Sequence, residues 1–173
     1  MKSNIENITH KLLVTYKLLF TPVDVENLAH KLKLLINRQD LDDNVSGFFV
    51  KKESENIIGL NQNHPEVRQR FTISHEIGHF KLHSNIPLFV DSYKGSIFRK
   101  EDDENSNQKM ETEANYFAAS LLMPKVLIEK ELSELSENYD YEKKLKILSK
   151  SFNVSKQAMD YRMKTLGFYD YGF

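Results

Sequence analysis

The chain has no cysteine, so it can form neither a disulfide nor a thiolate metal site. Any bound metal must be held by His, Asp or Glu. No apolar run approaches the roughly 18 residues that a membrane-spanning helix needs. Neither sign of charge is in surplus. The 24 Lys and Arg face 25 Asp and Glu for a net charge of -1, which excludes strong overall attraction to nucleic acid or anionic membranes. Leu12-Leu13-Val14, between Lys11 and Lys17, has no small-residue cleavage site and does not read as a signal peptide. The cytoplasm is the expected compartment. What is present suits a folded body. With 40% hydrophobic residues over 173 positions, one domain with a real core, or a domain with a small appendage, is predicted.

Against that background one stretch stands out, Phe71-Thr72-Ile73-Ser74-His75-Glu76-Ile77-Gly78-His79-Phe80. It contains H-E-x-x-H, a pattern that chance would supply roughly 0.02 times in a chain of this composition. On a helix, His75 and His79 lie about 40° apart and about 6 Å along the axis, so both imidazoles can reach one ion. Glu76 is about 100° from His75, beside the pair and badly placed as a third ligand. Two neutral nitrogens with an unliganded carboxylate next to them suit metal-assisted hydrolysis, the carboxylate taking a proton from water. The spacing predicts a helix over 64–83, capped by Asn63 or His64, with Pro65 in its first turn and Asn85 and Pro87 at its end. Val67, Phe71, Gly78 and Leu82 form one apolar side of it, and Ile73, Ile77 and Phe80 another. Such a helix is packed between elements, and three polar groups between those sides are costly to bury unless something satisfies them.

Taken in order, residues 4–20 place Ile5, Ile8, Leu12, Tyr16 and Leu19 at helical spacing. Thr21-Pro22-Val23-Asp24 reads as the start of a second helix with Thr21 as cap. Three short apolar runs, 34–36, 47–50 and 57–60, separated by polar turns, predict a small, mostly antiparallel sheet of about three strands. Leu88-Phe89-Val90 is a candidate for one more. Ser92 to Asn107 reads as a loop, and its acidic run Glu101-Asp102-Asp103-Glu104 as a solvated segment able to flank a cleft. A helix over 108–122 follows, with Met110, Ala114, Phe117, Ala118, Leu121 and Leu122 as its core face. Glu111 and Glu113 flank that face on opposite sides, and the helical wheel does not choose between them. Helices continue beyond Val126. A pair over 143–152 and 155–166, with Ser155 as cap and Gly167 as terminator, carries much of the basic charge. From Glu142 to Leu166 there are seven Lys or Arg and two acids, a local charge of +5. The pair resembles a helix-turn-helix, or a basic helical tail packed on the rest. The fold class is α+β.

Two separated motifs, F-T-I-S-H-E-I-G-H-F-K-L-H at 71–83 and E-x-E-A-N-Y-F-A-A-S-L-L-M-P at 111–124, together resemble the ImmA/IrrE family of zinc metallopeptidases. I-I-G-L-N at 57–61 and F-N-V-S-K-Q-A-M-D-Y-R-M-K-T-L-G at 152–167 are similar as well. The resemblance covers roughly residues 20–167. It implies a zincin-like, gluzincin-type domain. The expected division of the chain is an N-terminal helix over 1–20, a metallopeptidase core over 21–125, and a helical C-terminal subdomain over 126–173 that resembles a helix-turn-helix. The resemblance implies Zn²⁺ bound by His75, His79 and a glutamate that opens the E-A-N motif, Glu113, with Glu111 the alternative. It also implies a protein substrate, a helix-turn-helix repressor inactivated by cleavage, in a bacterial or mobile-element setting.

On this reading Glu76 is the general base. His83, about 80° round from His75 on the same arc, can stabilise an oxyanion, orient a ligand, or simply end the helix. Tyr93 and Tyr116 are further oxyanion candidates, and Asn115 a hydrogen-bonding support for a ligand. A reading from another class, a metal-stabilised DNA-binding or protein-interaction regulator without protease activity, draws on the basic helix pair.

Overall fold

A computed structural model describes residues 2–51, 55–83, 88–92 and 104–168, with the side chains of 88–92 and 104–106 left aside. It is an α+β fold of helices α1 (Lys2–Thr15), α2 (Val25–Lys31), α3 (Glu66–Leu82), α4 (Glu104–Leu122), α5 (Lys125–Glu134), α6 (Tyr141–Ser151) and α7 (Lys156–Leu166). Strands β1 (Leu34–Gln39), β2 (Val45–Lys51), β3 (Asn56–Asn61) and β4 (Leu88–Ser92) form one sheet in the order β1-β3-β2-β4. β2 runs antiparallel to both β3 and β4, and β1 runs parallel to β3. The mostly antiparallel sheet, including the short strand at 88–90, is therefore as expected.

The helix ends differ from expectation for local reasons. α1 stops at Thr15, not near residue 20, because Lys17 turns left-handed (φ 57°). The amide of Leu18 then donates to the Leu13 carbonyl, and that of Lys17 to Val14. This is a Schellman closure, and Leu13 and Leu18, both buried, belong to the same apolar cluster. α2 is capped by Asp24, whose carboxylate accepts from the Asn27 amide at 2.9 Å, and not by Thr21. Pro65 occupies the cap position of α3 without a side-chain bond. Asn63 instead donates to the Asp40 carboxylate (2.6 Å), and His64 is bonded to the Asp43 carbonyl (3.2 Å). α4 begins at Glu104, a turn earlier than the sequence suggested. Acidic residues suit a helix N-terminus. Asn85, Pro87, Tyr93 and most of the expected loop, with Glu101, Asp102 and Asp103, lie outside the described residues.

α3 lies between the sheet and α4, as its two apolar sides required. On one side Phe80 meets Phe49 of β2 edge-on, ring centroids 5.9 Å apart. On the other, Gly78 lets α4 approach closely: a Cβ there would sit 3.2–3.3 Å from Phe117 and from the Ala114 backbone. The end of β3 is tied to the turn between β1 and β2 through buried Asn61, whose side-chain amide lies 2.9–3.1 Å from the carbonyls of Leu41, Asp42 and Val45. The buried residues of α6 and α7, among them Leu148, Phe152, Met159 and Met163, belong to the same apolar cluster as Leu13, Ile77 and Phe117. Ser155 caps α7 through the Ala158 amide, and Gly167 (φ 78°) ends it, both as expected. No helix among the described residues is long and apolar enough to cross a membrane.

Candidate metal centre

His75, Glu76 and His79 are all buried on α3. One helical turn apart, the two imidazoles turn their Nε2 atoms toward each other at 2.9 Å. The carboxylate that meets them comes from α4. Glu111 brings one oxygen to 3.2 Å from His75 Nε2 and the other to 3.2 Å from His79 Nε2. Among the described residues, these three side chains form a group whose ligand atoms all lie within 4.8 Å of one another.

Glu113, the ligand implied by the resemblance, is elsewhere. Its Oε2 lies 3.1 Å from Nε2 of His83. The reason is rotational: two residues along a helix is about 200°, so the two acids cannot face the same point. Glu111 and Asn115, four apart, do share a face, and Asn115 Oδ1 lies 3.0 Å from His75 Nδ1. The spacing of Glu111 and Asn115, one helical turn, is legible in the sequence and is the signal that favours Glu111. The structure thus joins His75, His79 and Glu111, with Asn115 beside them, and sets Glu113 and His83 behind His79, whose Nδ1 is 3.1 Å from His83 Nδ1.

Tyr116 takes no part in this cluster. Its hydroxyl donates to Glu6 of α1 at 2.8 Å. Glu6 also accepts from Ser120 and, through both its oxygens, from the buried Arg162 of α7. Sequence reading gave no hint of this network, because its members are 110 to 156 residues apart.

The donors fit a divalent metal. Burial pushes His79 down to about 4, so at neutral pH it is an uncharged imidazole with a lone pair to offer. Burial alone would raise Glu111, but hydrogen bonds from His75 and His79 hold it well below the usual carboxylate range, so it stays ionised. Zinc bonds of about 2.0–2.1 Å in a tetrahedron set its ligand atoms about 3.3–3.4 Å apart. The separations here, 2.9, 3.2 and 3.2 Å, are within a few tenths of an ångström of that. A groove of about 830 Å³ opens alongside, lined by Phe71, Thr112, Asn115, Ala119, Met123 and Tyr161. Two of its lining residues adjoin the centre: the Phe71 ring is 6.4 Å from that of His75, and Asn115 is bonded to the same histidine.

The family model of Peptidase M78, the IrrE N-terminal-like domain, matches residues 29–164. A curated protein of Bacillus phage phi105, "Uncharacterized immunity region protein 2", is 32% identical over 99 residues. That alignment spans 56% of this chain and 56% of the phage protein, little more than half of each.

Proposed function

The chain belongs to the IrrE N-terminal-like family, Peptidase M78, and from that premise we propose that it is a zinc-dependent endopeptidase acting on a regulatory protein. The observation that carries the proposal is the convergence of His75, His79 and Glu111 around one point, with Glu76 buried one residue away. His75, His79 and Glu111 would hold the metal, with Glu111, the alternative to Glu113, as the third ligand. When bound, zinc would supply a Lewis acid that lowers the pKa of water toward about 7 and polarises a carbonyl. Glu76 accepts the proton of the attacking water and passes it to the leaving amine. Asn115 accepts from His75 Nδ1 and so keeps the Nε2 lone pair of that ring turned inward. The groove beside His75 is an open seat for an extended polypeptide.

The protein substrate is a helix-turn-helix repressor, cleaved in the cytoplasm. The phage relative's name, an immunity region protein, supports a setting in which a repressor is the regulated partner. The DNA-binding alternative has less to stand on. Of the seven basic residues at 142–166, Arg162 is buried against Glu6, Lys156 pairs with Glu142, and Lys164 with Asp160.

The test is bound zinc and repressor cleavage for the wild type and Glu76→Gln. The substitution should keep the metal and lose about 10²–10⁴-fold in cleavage, the usual range for a general base. Undiminished cleavage by Glu76→Gln would remove Glu76 from the reaction. Metal-free wild-type protein that takes up no zinc would remove the whole reading.

A further inference from the structure

The helix pair at 142–166, which the sequence likens to a helix-turn-helix, turns its second member toward the groove beside the metal centre. Ser155, Ala158 and Tyr161 of α7 all line that groove. Ser155 and Ala158 belong to the first turn, the part that a DNA-reading helix presents to base edges. We propose that α7 is instead the specificity wall of a peptidase. With the start of α3 and the end of α4 it forms a pocket for a large apolar side chain of the protein substrate, two to four residues along the chain from the bond that is cut. The inference rests on reading His75, His79 and Glu111 as a metal centre and the chain as an endopeptidase.

A second cavity, of about 260 Å³, adjoins the groove. Val67 and Phe71 of α3, Leu122 of α4, and Val154, Ser155 and Ala158 line it, and Phe71, Ser155 and Ala158 line the groove as well. Apart from Ser155 and Arg68 its walls are apolar. An apolar cavity of about 150 Å³ already takes benzene, so this one has room for the side chain of Phe or Leu. Helical rise gives its distance from the centre. Phe71 and Val67 precede His75 by one and two turns, about 6 and 12 Å along α3. The span from Asn115 to Leu122 on α4 gives about 10 Å. An extended chain advances about 3.3 Å per residue. The pocket is therefore about two to four residues from the point where His75, His79 and Glu111 converge.

The chemistry of the occupant follows from the lining. Tyr161 is 62% exposed, a large aromatic left open on the groove wall. Tyrosines are among the residues that most often anchor a partner. Among the described residues, the cations Lys2, Arg68 and Lys164 line the two cavities with one acid, Asp160. Lys164 pairs with Asp160 at 2.7 Å, and Arg68 donates to the neutral hydroxyl of Ser46 at 2.9 Å. The lining is thus net positive and complements an acidic residue on the incoming segment. A polypeptide supplies both features, an apolar anchor and a carboxylate near it. A nucleic acid would match the charge and leave the apolar pocket unfilled.

The experiment uses the full chain and two readouts. In the first, methyl NMR of the metal-free wild type follows a titration with N-acetylphenylalaninamide and, separately, with N-acetylserinamide. The aromatic probe should shift the methyls of Val67, Leu122, Val154 and Ala158 saturably, and the serine probe should not. In the second, zinc-loaded protein is incubated with a library of proteome-derived peptides. Mass spectrometry reads the cut bonds, counting only those that Glu76→Gln leaves intact. The cut peptides should carry a large apolar residue at one fixed position, two to four residues from the cut bond. Ala158→Phe and Val67→Phe fill the pocket from α7 and from α3. Both should bind zinc like the wild type, lose the apolar preference, and cleave the preferred peptides with kcat/KM lowered about 10-fold or more, mostly through KM. An aromatic probe that leaves the pocket methyls unmoved overturns the pocket with no variant having to fold. So does cleavage without the apolar preference, or a preference that survives in both variants. A library left uncut by the zinc-loaded wild type instead overturns the endopeptidase reading, and the pocket's role as a substrate seat falls with it.

Discussion

In His75 and His79 the two nitrogens of each ring have different surroundings. The inner nitrogens converge, and the outer ones are held by Asn115 and His83. Residues here therefore form a ranking that can be measured. Removing the carboxylate at the centre with Glu111→Ala should cost more zinc affinity than removing the outer partner with Asn115→Ala. The latter is expected to lose about 10–100-fold. Dialysis against buffered zinc followed by metal analysis checks the order. If Asn115→Ala and Glu111→Ala lose equally little, the third ligand lies elsewhere. The two acids at 111 and 113 could not be told apart from the helical wheel, because both lie beside the apolar face. The i,i+4 partner Asn115 distinguishes them, since it completes the same flank as Glu111.

At the scale of elements, the site exists because α3 and α4 come close enough for side chains of one to meet those of the other. Gly78 opposite Ala114 and Phe117 permits that distance. A larger side chain must push the helices apart, so Gly78→Val should cost about 1–3 kcal/mol of stability through overpacking. It should also weaken zinc binding, as Glu111 withdraws from the imidazoles. Urea unfolding and chelator competition on the same sample test this, and unchanged zinc affinity would show that α4 is positioned by something other than that contact. Element identities were readable from apolar spacing, which backbone geometry enforces locally. Their ends were less so. The stop of α1 at Thr15 depends on Lys17 adopting a left-handed backbone, which no glycine announced.

For the whole molecule, the decisive contact is between its two ends. Glu6 of α1 and Arg162 of α7 form a paired, largely buried bridge that also holds Tyr116 and Ser120 of α4. Removing one partner leaves a buried charge uncompensated, so Glu6→Gln should destabilise by about 3–5 kcal/mol at pH 7. Burial pushes Glu6 upward, but hydrogen bonds and charge from Arg162, with help from Tyr116 and Ser120, bring it below its ordinary 4.5. A carboxylate lowered by folding contributes stability that is present above 4.5 and lost as pH falls through the folded value. The wild type should therefore lose its advantage over Glu6→Gln in acid. Urea midpoints at pH 7, 5 and 3 measure this, and a gap that does not narrow would count against the bridge. Bound metal should add stability by mass action, about 4 kcal/mol when zinc is at 1,000 times its dissociation constant. A chelator should then lower the thermal midpoint of the wild type and leave that of Glu111→Ala unmoved.

The pair of histidines, the glutamate between them and the helix that carries all three could be read from order alone. A separation of four residues means one turn wherever a helix forms, whatever surrounds it. Which acid of α4 lies beside the two histidines depends on how far that helix is rotated about its own axis. α4 meets α3 closely at Gly78, and its Tyr116 and Ser120 bond to Glu6 of α1, contacts between segments remote in the chain. Backbone geometry is the same for every helix, whereas the angle at which two helices meet is decided only when their surfaces fit.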